Sequence, residues 1–357
     1  MNPELHLFII WEHATYCAQQ IIEDLKVKFT IKRVYQIYWN NSNFSKNLSR
    51  LYGQSLPPGC EKQIHCGMGP FILVIVQDEN PVYAIRSTSK GMCNVNINTF
   101  DAKSLYRSWT GGGHRIHGTN TQIECDHDLT LFISCNAKTF LSYFPGNWDG
   151  VIHPLYQDLL GTNGWQDIQQ LFTVLNWTTE YVVLRNFECL PNQYHLELHG
   201  DIDLLVKDAV EVSFITNATK VFLEEYRVHY QINIAGKTVL FDFRYIGDNY
   251  YCNDWEMSIL RNKELSHKGF FIPNQEDYFF SLIYHAFIHK PTIAQDYIER
   301  LIAMASQLNI EHFSYQTLTN NKELKLFLDA YMSKKGYHYS VPNDLSVFFN
   351  SAVLGGG

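Results

Sequence analysis

In HLELHGDIDLLVKD, residues 195–208, Asp201 and Asp203 stand one residue apart inside an apolar run. Charged side chains are rarely buried unless they are paired or bound to metal. Alternation along a strand sends both aspartates to one side, with Ile202, Leu204 and Leu205 supplying apolar contacts around them. A third carboxylate, Asp242, lies in VLFDFRY, again among neighbours that suit a central strand. Three carboxylates converging from adjacent strands repel one another unless divalent cations lie between them. Mg²⁺ (or Mn²⁺) prefers such oxygen ligands and recruits substrate phosphates. Two such ions activate an attacking oxygen and stabilise a leaving pyrophosphate. The plainer alternative has Asp201 closing a turn after Gly200 and Asp203 in a structural salt bridge. Tyr284, His285 and His289 share a helical segment without an HExxH pattern, so they read as a core-lining helix with satisfied histidines.

The elements that must hold these residues follow from periodicity. LHLFII reads as a strand, CAQQIIEDLKVKF as a helix with Ile21, Ile22 and Leu25 on one side, and TIKRVYQIYW as a half-buried strand. FSKNLSRLYG is a short helix ending at Gly53, GPFILVIVQ a fully apolar strand, and QIECDHDLTLFI a further helix. Between GPFILVIVQ and the end of DAKSLYRSW a helix-and-loop region is expected. The aromatic, Gly- and Pro-bearing stretch SYFPGNWDGVIHPLYQDLLGTNGW marks a linker over 141–165. After it come the helix WQDIQQLFTVLNW, the strands YVVLRNF, HGDIDLLVK, KVFLEEYRVHYQINI and TVLFDFRYI, and then helices from 275 onward.

Composition narrows the class. A chain of 357 residues, 46% hydrophobic, suggests two or three domains with substantial cores. A formal charge of −8 argues against a general nucleic-acid coat or a binder of anionic membranes. Eight scattered cysteines without a CxxC pair read as free thiols in a reducing compartment. The opening MNPELHLFII has no basic segment followed by a long apolar core, and no apolar run reaches the roughly 18 residues of a membrane span. A cytoplasmic protein with no membrane partner is the expectation.

GDIDLLV followed by VLFDF resembles the polymerase-beta-type nucleotidyltransferase superfamily, over roughly 166–290. The resemblance implies that Asp201, Asp203 and Asp242 are the catalytic, metal-holding carboxylates. Where that family carries a Gly-Ser turn before its first aspartates, this chain reads VVLRNFECLP, so Arg185 and Asn186 take its place. Arg185 would grip phosphate through its guanidinium fork, and Arg244, on the side of Asp242, is a second phosphate partner. Lys207 reads as solvated.

Residues 5–140 resemble nucleoside diphosphate kinases, through CGMGPFILVIV, DAKSLYR and RIHGTN with its following acidic helix. In that family a histidine before Gly-(Ser/Thr) takes up the phosphoryl group, and His117 falls on it. Tyr52, Thr119 and Asp128 match positions near that histidine, and Arg107 a phosphate-binding arginine. Glu12 stands where the family has a lysine, and His114 where it has an asparagine. The glycines of TGGGH read as a flexible loop.

The fold expected from these readings is α+β: a ferredoxin-like (nucleoside diphosphate kinase-like) domain over 1–140 and a nucleotidyltransferase-type mixed sheet over 166–290, with a C-terminal helical segment over 291–350. The function expected is metal-dependent transfer of an NMP from a nucleoside triphosphate to an acceptor, whether small molecule, saccharide, RNA or protein. The first domain would then supply a degenerate nucleotide- or phosphate-binding pocket of Arg107, His117 and Thr119. A phosphotransferase acting through phosphorylated His117, and a non-catalytic binding or assembly protein, are the alternatives.

Overall fold

The computed structural model describes residues 2–89, 91–192, 200–311 and 313–353. His195 to His199, at the head of the aspartate stretch, lie outside them. The chain divides into two units, Met1–Trp165 and Gln166–Gly357. Both are mixed α+β, and no described helix is long and apolar enough to cross a membrane.

The first unit contains β1 (Glu4–Ile10), α1 (Ala18–Lys28), β2 (Thr30–Ile37), α2 (Phe44–Tyr52), α3 (Glu61–Cys66) and β3 (Phe71–Asp78). It continues with the hairpin β4 (Tyr83–Thr88) and β5 (Gly91–Asn96), then α4 (Ile97–Trp109), β6 (Ile116–Gly118), α5 (Gln122–Ile133), α6 (Ala137–Tyr143) and β7 (Ile152–Leu155). The sheet runs in the order β6-β1-β3-β2-β7. All its pairings are antiparallel except β2 with β7. Both faces are covered, which is why β1 and β3 are apolar almost throughout. On one face Ile21, Ile22 and Leu25 of α1 and Ala102 and Tyr106 of α4 pack on Phe8, Val34 and Val74. The aromatics Trp11, Trp39, Phe44, Phe71 and Phe132 form a second buried group, with Trp11 and Phe71 ring centroids 4.6 Å apart. Helix α2 ends, as expected, at Gly53, whose φ of +61° is the left-handed cap conformation.

Residues 141–165, expected as a linker, lie inside this unit. Their strand β7 pairs in parallel with β2, and Trp148 N–H donates to the Ile31 carbonyl at 2.9 Å. The reason for the capture is Arg50, 1% exposed, whose guanidinium donates to Thr162 Oγ1 at 2.7 Å and to the Leu160 carbonyl at 2.6 Å. Burial pushes the Arg50 pKa down to about 9. A fragment ending at 140 would strand that cation. It is expected to be less stable than a fragment ending at 165 by about 3 kcal/mol or more, measured by urea denaturation of the two. Equal stability would show that the segment is dispensable.

The second unit comprises α7 (Ile168–Thr178), β8 (Tyr181–Val183), β9 (Ile202–Val206), α8 (Ala209–Thr216), β10 (Thr219–Lys220), β11 (His229–Ile234) and β12 (Lys237–Tyr245). After these come α9 (Asn253–Arg261), the small pair β13 (Glu264–Leu265) and β14 (Phe271–Ile272), α10 (Gln275–Ile288), α11 (Gln295–Gln307), α12 (Tyr315–Thr319) and α13 (Asn321–Lys335). Its main sheet has the order β10-β11-β12-β9-β8, mixed because β9 and β12 run parallel. The segment 291–350 is not separate from what precedes it. Leu301, Leu324 and Leu328 share one core with Trp255 and with Phe279 to Ile288 of α10. The run KVFLEEYRVHYQINI, expected as one strand, is broken. Val221 to Glu225 form a turn with exposed side chains, and pairing resumes at His229. Strands β11 and β12 are joined by Ala235 and Gly236 alone, at φ +51° and +74°. A left-handed alanine is strained, so Ala235→Gly is expected to raise stability by about 1 kcal/mol, read from thermal unfolding. A loss would mean that the Ala235 methyl makes a contact worth more than the strain.

Candidate active site

Strand register assembles the carboxylates. In the parallel pair β9–β12 Asp203 stands opposite Asp242, and in the antiparallel pair β11–β12 His229 stands opposite Asp242 on its other side. A row His229–Asp242–Asp203 thus crosses three neighbouring strands. Asp201, just ahead of β9, lines the same cleft, which has a volume of about 460 Å³. Arg185, Asn186 and Arg244 line it too. All six residues that the sequence pointed to in this unit therefore meet at one place.

Asp203 and Asp242 are each 5% exposed. Burial raises the pKa of all three aspartates. Asp201 is raised further by Asp242, and Asp242 by Asp203, while Arg185 and Arg244 oppose the rise. Arg185 Nη2 donates to Asp203 Oδ1 at 2.5 Å, and Arg244 Nη2 lies 3.4 Å from Asp242 Oδ2. The plain reading of Asp203 as an ion-pair partner is thus correct as far as it goes. Several buried polar atoms nevertheless have no hydrogen-bond partner among the described residues: Asp242 Oδ1, Arg185 Nη1, and Nε and Nη1 of Arg244. A native fold rarely leaves so many buried groups unsatisfied in one place, so the cleft is built for something polar.

Sequence reasoning missed several walls of the cleft. Tyr250 lies beneath both arginines, with Arg244 4.3 Å and Arg185 5.4 Å from its ring centroid. Its hydroxyl meets His285 Nδ1 at 2.5 Å. His289, just past the end of α10, has its ring centroid 4.1 Å from that of Tyr250. It is 3% exposed, and neither of its ring nitrogens has a hydrogen-bond partner among the described residues. The expectation of satisfied histidines therefore holds for His285 and fails for His289, because the Tyr250 hydroxyl reaches only one of them. Burial holds both imidazoles well below their usual pKa, with Arg185 and Arg244 adding to the effect. Lys290, Tyr297 and Ser346 to Phe348 complete the wall. His229 is linked outward, with Nε2 3.6 Å from Asp242 Oδ1 and Nδ1 3.8 Å from the buried Asp344.

In the first unit, β6 brings His117 opposite Ile9. His117 Nε2 lies 2.8 Å from Asp128 Oδ2, and His127 Nδ1 2.9 Å from the other carboxylate oxygen. Burial works to raise the Asp128 pKa, but these two bonds outweigh it and hold the group ionised. A carboxylate only accepts, so His117 donates through Nε2. Tyr52 and His117 meet edge to face, with ring centroids 5.3 Å apart. Arg107 is tied down, its Nε donating to the Ile116 carbonyl at 3.0 Å. Thr119, expected to line this pocket, turns inward instead. It is fully buried, and its hydroxyl contacts His6 Nδ1 and the Leu7 N–H, each at 3.1 Å, so it cannot reach a phosphate. Glu12 accepts hydrogen bonds from the N–H groups of Met68 at 2.7 Å and Gly69 at 2.5 Å.

In the second unit's cleft the oxygens of Asp201, Asp203 and Asp242 are the donors that could hold a hard divalent ion, with Arg185 and Arg244 opposing its charge. Asp203 is paired with Arg185 and Asp242 with Arg244, and the three aspartates are not drawn tightly together. Among the described residues, the ligating set whose donor atoms all lie within 4.8 Å of one another is Glu61, His65 and His114, in the first unit. No family model, curated protein or solved structure matches this chain.

Proposed function

We propose that the second unit is a metal-dependent nucleotidyltransferase of the polymerase-beta type, using Asp201, Asp203 and Asp242. What carries the reading is the in-register facing of Asp203 and Asp242 on a parallel strand pair, with Asp201 in the same cleft. The carboxylates would hold Mg²⁺ or Mn²⁺, which supplies charge stabilisation of the transferring phosphoryl group. Arg185, Arg244 and Lys290 would take the triphosphate, through guanidinium nitrogens that lack hydrogen-bond partners among the described residues and through the exposed Lys290. An acceptor oxygen attacks the α-phosphorus, the bond to the β-phosphate oxygen breaks, and pyrophosphate leaves with the electron pair. The acceptor proton passes to a carboxylate or to water.

For the first unit we propose a ferredoxin-like fold akin to that of nucleoside diphosphate kinases. The support is the antiparallel order β6-β1-β3-β2, with α1 and α4 packed on one face and β4–β5 as an inserted hairpin. Its role would be phosphate or nucleotide binding without turnover. Glu12 puts a carboxylate where the chemistry needs a cation, and such electrostatics dominate phosphoryl transfer.

Incubation with NTPs labelled at the α- or γ-phosphate, with Mg²⁺ or Mn²⁺, tests both readings. Transfer of α-label with release of pyrophosphate is the expected result. γ-Label retained on His117 would favour the phosphotransferase reading, and neither label would favour a binding protein. His117→Ala is expected to leave the transfer rate at saturating substrate unchanged and to weaken nucleotide or acceptor binding by about 1 kcal/mol, measured by equilibrium binding to wild type and variant. An acid-labile phosphate on wild-type protein that vanishes in His117→Ala would make the first unit an active enzyme.

A further inference from the structure

Three candidates stand outside the chemistry above: the unpartnered His289 imidazole, the exposed apolar turn at Val221 to Leu223, and the Glu61, His65 and His114 group. His289 belongs to the cleft already described. Nothing on the surface of the turn says what would cover it. The third carries furthest.

We propose that Glu61, His65 and His114 form a Zn²⁺ site on the first unit. Two imidazoles and one carboxylate are a ligand set that Zn²⁺ takes up readily, and three protein ligands leave a fourth position for water or substrate. Their donor atoms already lie within 4.8 Å of one another, so small rotamer changes close the set. Glu61 and His65 project from one side of α3 at i and i+4, with Glu61 Oε1 3.9 Å from His65 Nδ1. That nitrogen is buried and has no hydrogen-bond partner among the described residues. His114 comes from the far side, its ring centroid 5.6 Å from that of His65.

The loop delivering His114 is built rather than slack. Gly111, Gly112 and Gly113 all have positive φ, at +81°, +79° and +68°. A Cβ on Gly113 would come within 2.7 Å of His65 Nδ1, so only glycine lets His114 approach α3 this closely. The loop is fastened by Gly112 N–H to the Arg107 carbonyl at 2.7 Å, by Arg115 Nη1 to the Gly112 carbonyl at 3.0 Å, and by Cys66 Sγ to the His114 carbonyl at 3.6 Å. The glycines of TGGGH thus have a structural reason that flexibility does not supply. Lys62, between the two helical ligands, is turned aside. Its ammonium lies 3.6 Å from the Tyr52 ring centroid, and Tyr52 in turn meets His117 edge to face. The site therefore borders the His117 pocket.

The test is stoichiometric Zn²⁺ uptake by the full chain in competition with a chromophoric chelator, with Co²⁺ as a spectroscopic substitute. One equivalent of chelator-resistant Zn²⁺ is expected, with visible Co²⁺ bands of low-coordinate intensity. His65→Ala and His114→Ala should abolish both signals, and Glu61→Ala should weaken binding by about tenfold or more. Glu61 is exposed, so its variant folds and decides the matter even if a histidine variant does not. Asp242→Asn, in the other unit, should retain the equivalent. Failure of wild-type protein to hold one equivalent overturns the site. So does an equivalent that survives in His114→Ala, or one that disappears in Asp242→Asn.

Discussion

Asp201→Asn protein should lose Mg²⁺-dependent nucleotidyl transfer by about three orders of magnitude and yet melt within about 2 °C of wild type in EDTA. Asp201 is half-buried and has no hydrogen bond or ion pair to the described residues, and Asp242 is the like charge that acts on it most. Removing its charge relieves the repulsion from Asp242 and breaks no hydrogen bond to the described residues. Asp203→Asn should lose as much activity, but for two reasons at once. It also takes the counter-charge from Arg185, so a fall in stability there says nothing against a metal role. Single-turnover rates and thermal melts on the two variants separate the effects. If Asp201→Asn transfers at the wild-type rate, the carboxylate triad is not the site. If it unfolds, Asp201 is structural.

The largest stability effect is expected from Arg185→Met, about 3 kcal/mol or more near neutral pH in EDTA. Arg185 and Asp203 are 6% and 5% exposed, and the methionine would leave a buried carboxylate without its partner. The sign of the pH dependence follows from Asp203. Burial already raises its pKa above the ordinary 3.8, and Arg185 is the foremost group lowering it. Without Arg185 the folded-state value climbs further. A carboxyl group raised in this way favours the fold most below its unfolded pKa and loses that advantage as pH rises through its folded value. The variant should therefore come closest to wild type at about pH 4 and fall steadily behind as pH rises. A constant gap across that range would mean the loss is one of packing against Tyr250 rather than of charge.

The aspartates could be read from the sequence because a strand has period two and theirs were flanked by apolar residues. Asp203 and Asp242 needed no more than that to be placed on one sheet. His229 could not be read in the same way. Its position beside Asp242 depends on the register of a hairpin closed by Ala235 and Gly236, and Ala-Gly is not the pair that usually announces a two-residue turn. Ser346 to Phe348 are distant in sequence and reach the cleft only through the tertiary fold. The segment 141–165 misled because its glycines and prolines signal irregular backbone, and irregular backbone need not be loose. The tie to it is Arg50, which carries no local sign of being buried. Helix α8, AVEVSFIT, is rich in β-branched residues that favour strands, and it forms with Asp208 capping its first turn. The inward turn of Thr119 was hidden for a different reason, since its partner His6 is on another strand.

Glu12 has a consequence for any anion that approaches the turn at Met68 and Gly69. Its carboxylate is tethered to the same chain, and such a rival acts at a local concentration on the order of millimolar or higher. Dilution cannot remove it, and dialysis cannot wash it away. A phosphate reaching those two amides would therefore take part in an exchange, releasing one carboxylate for each anion taken up. The affinity observed would be the intrinsic affinity divided by the strength of the Glu12 contact, and shortening that side chain by one methylene would change the divisor without touching the amides.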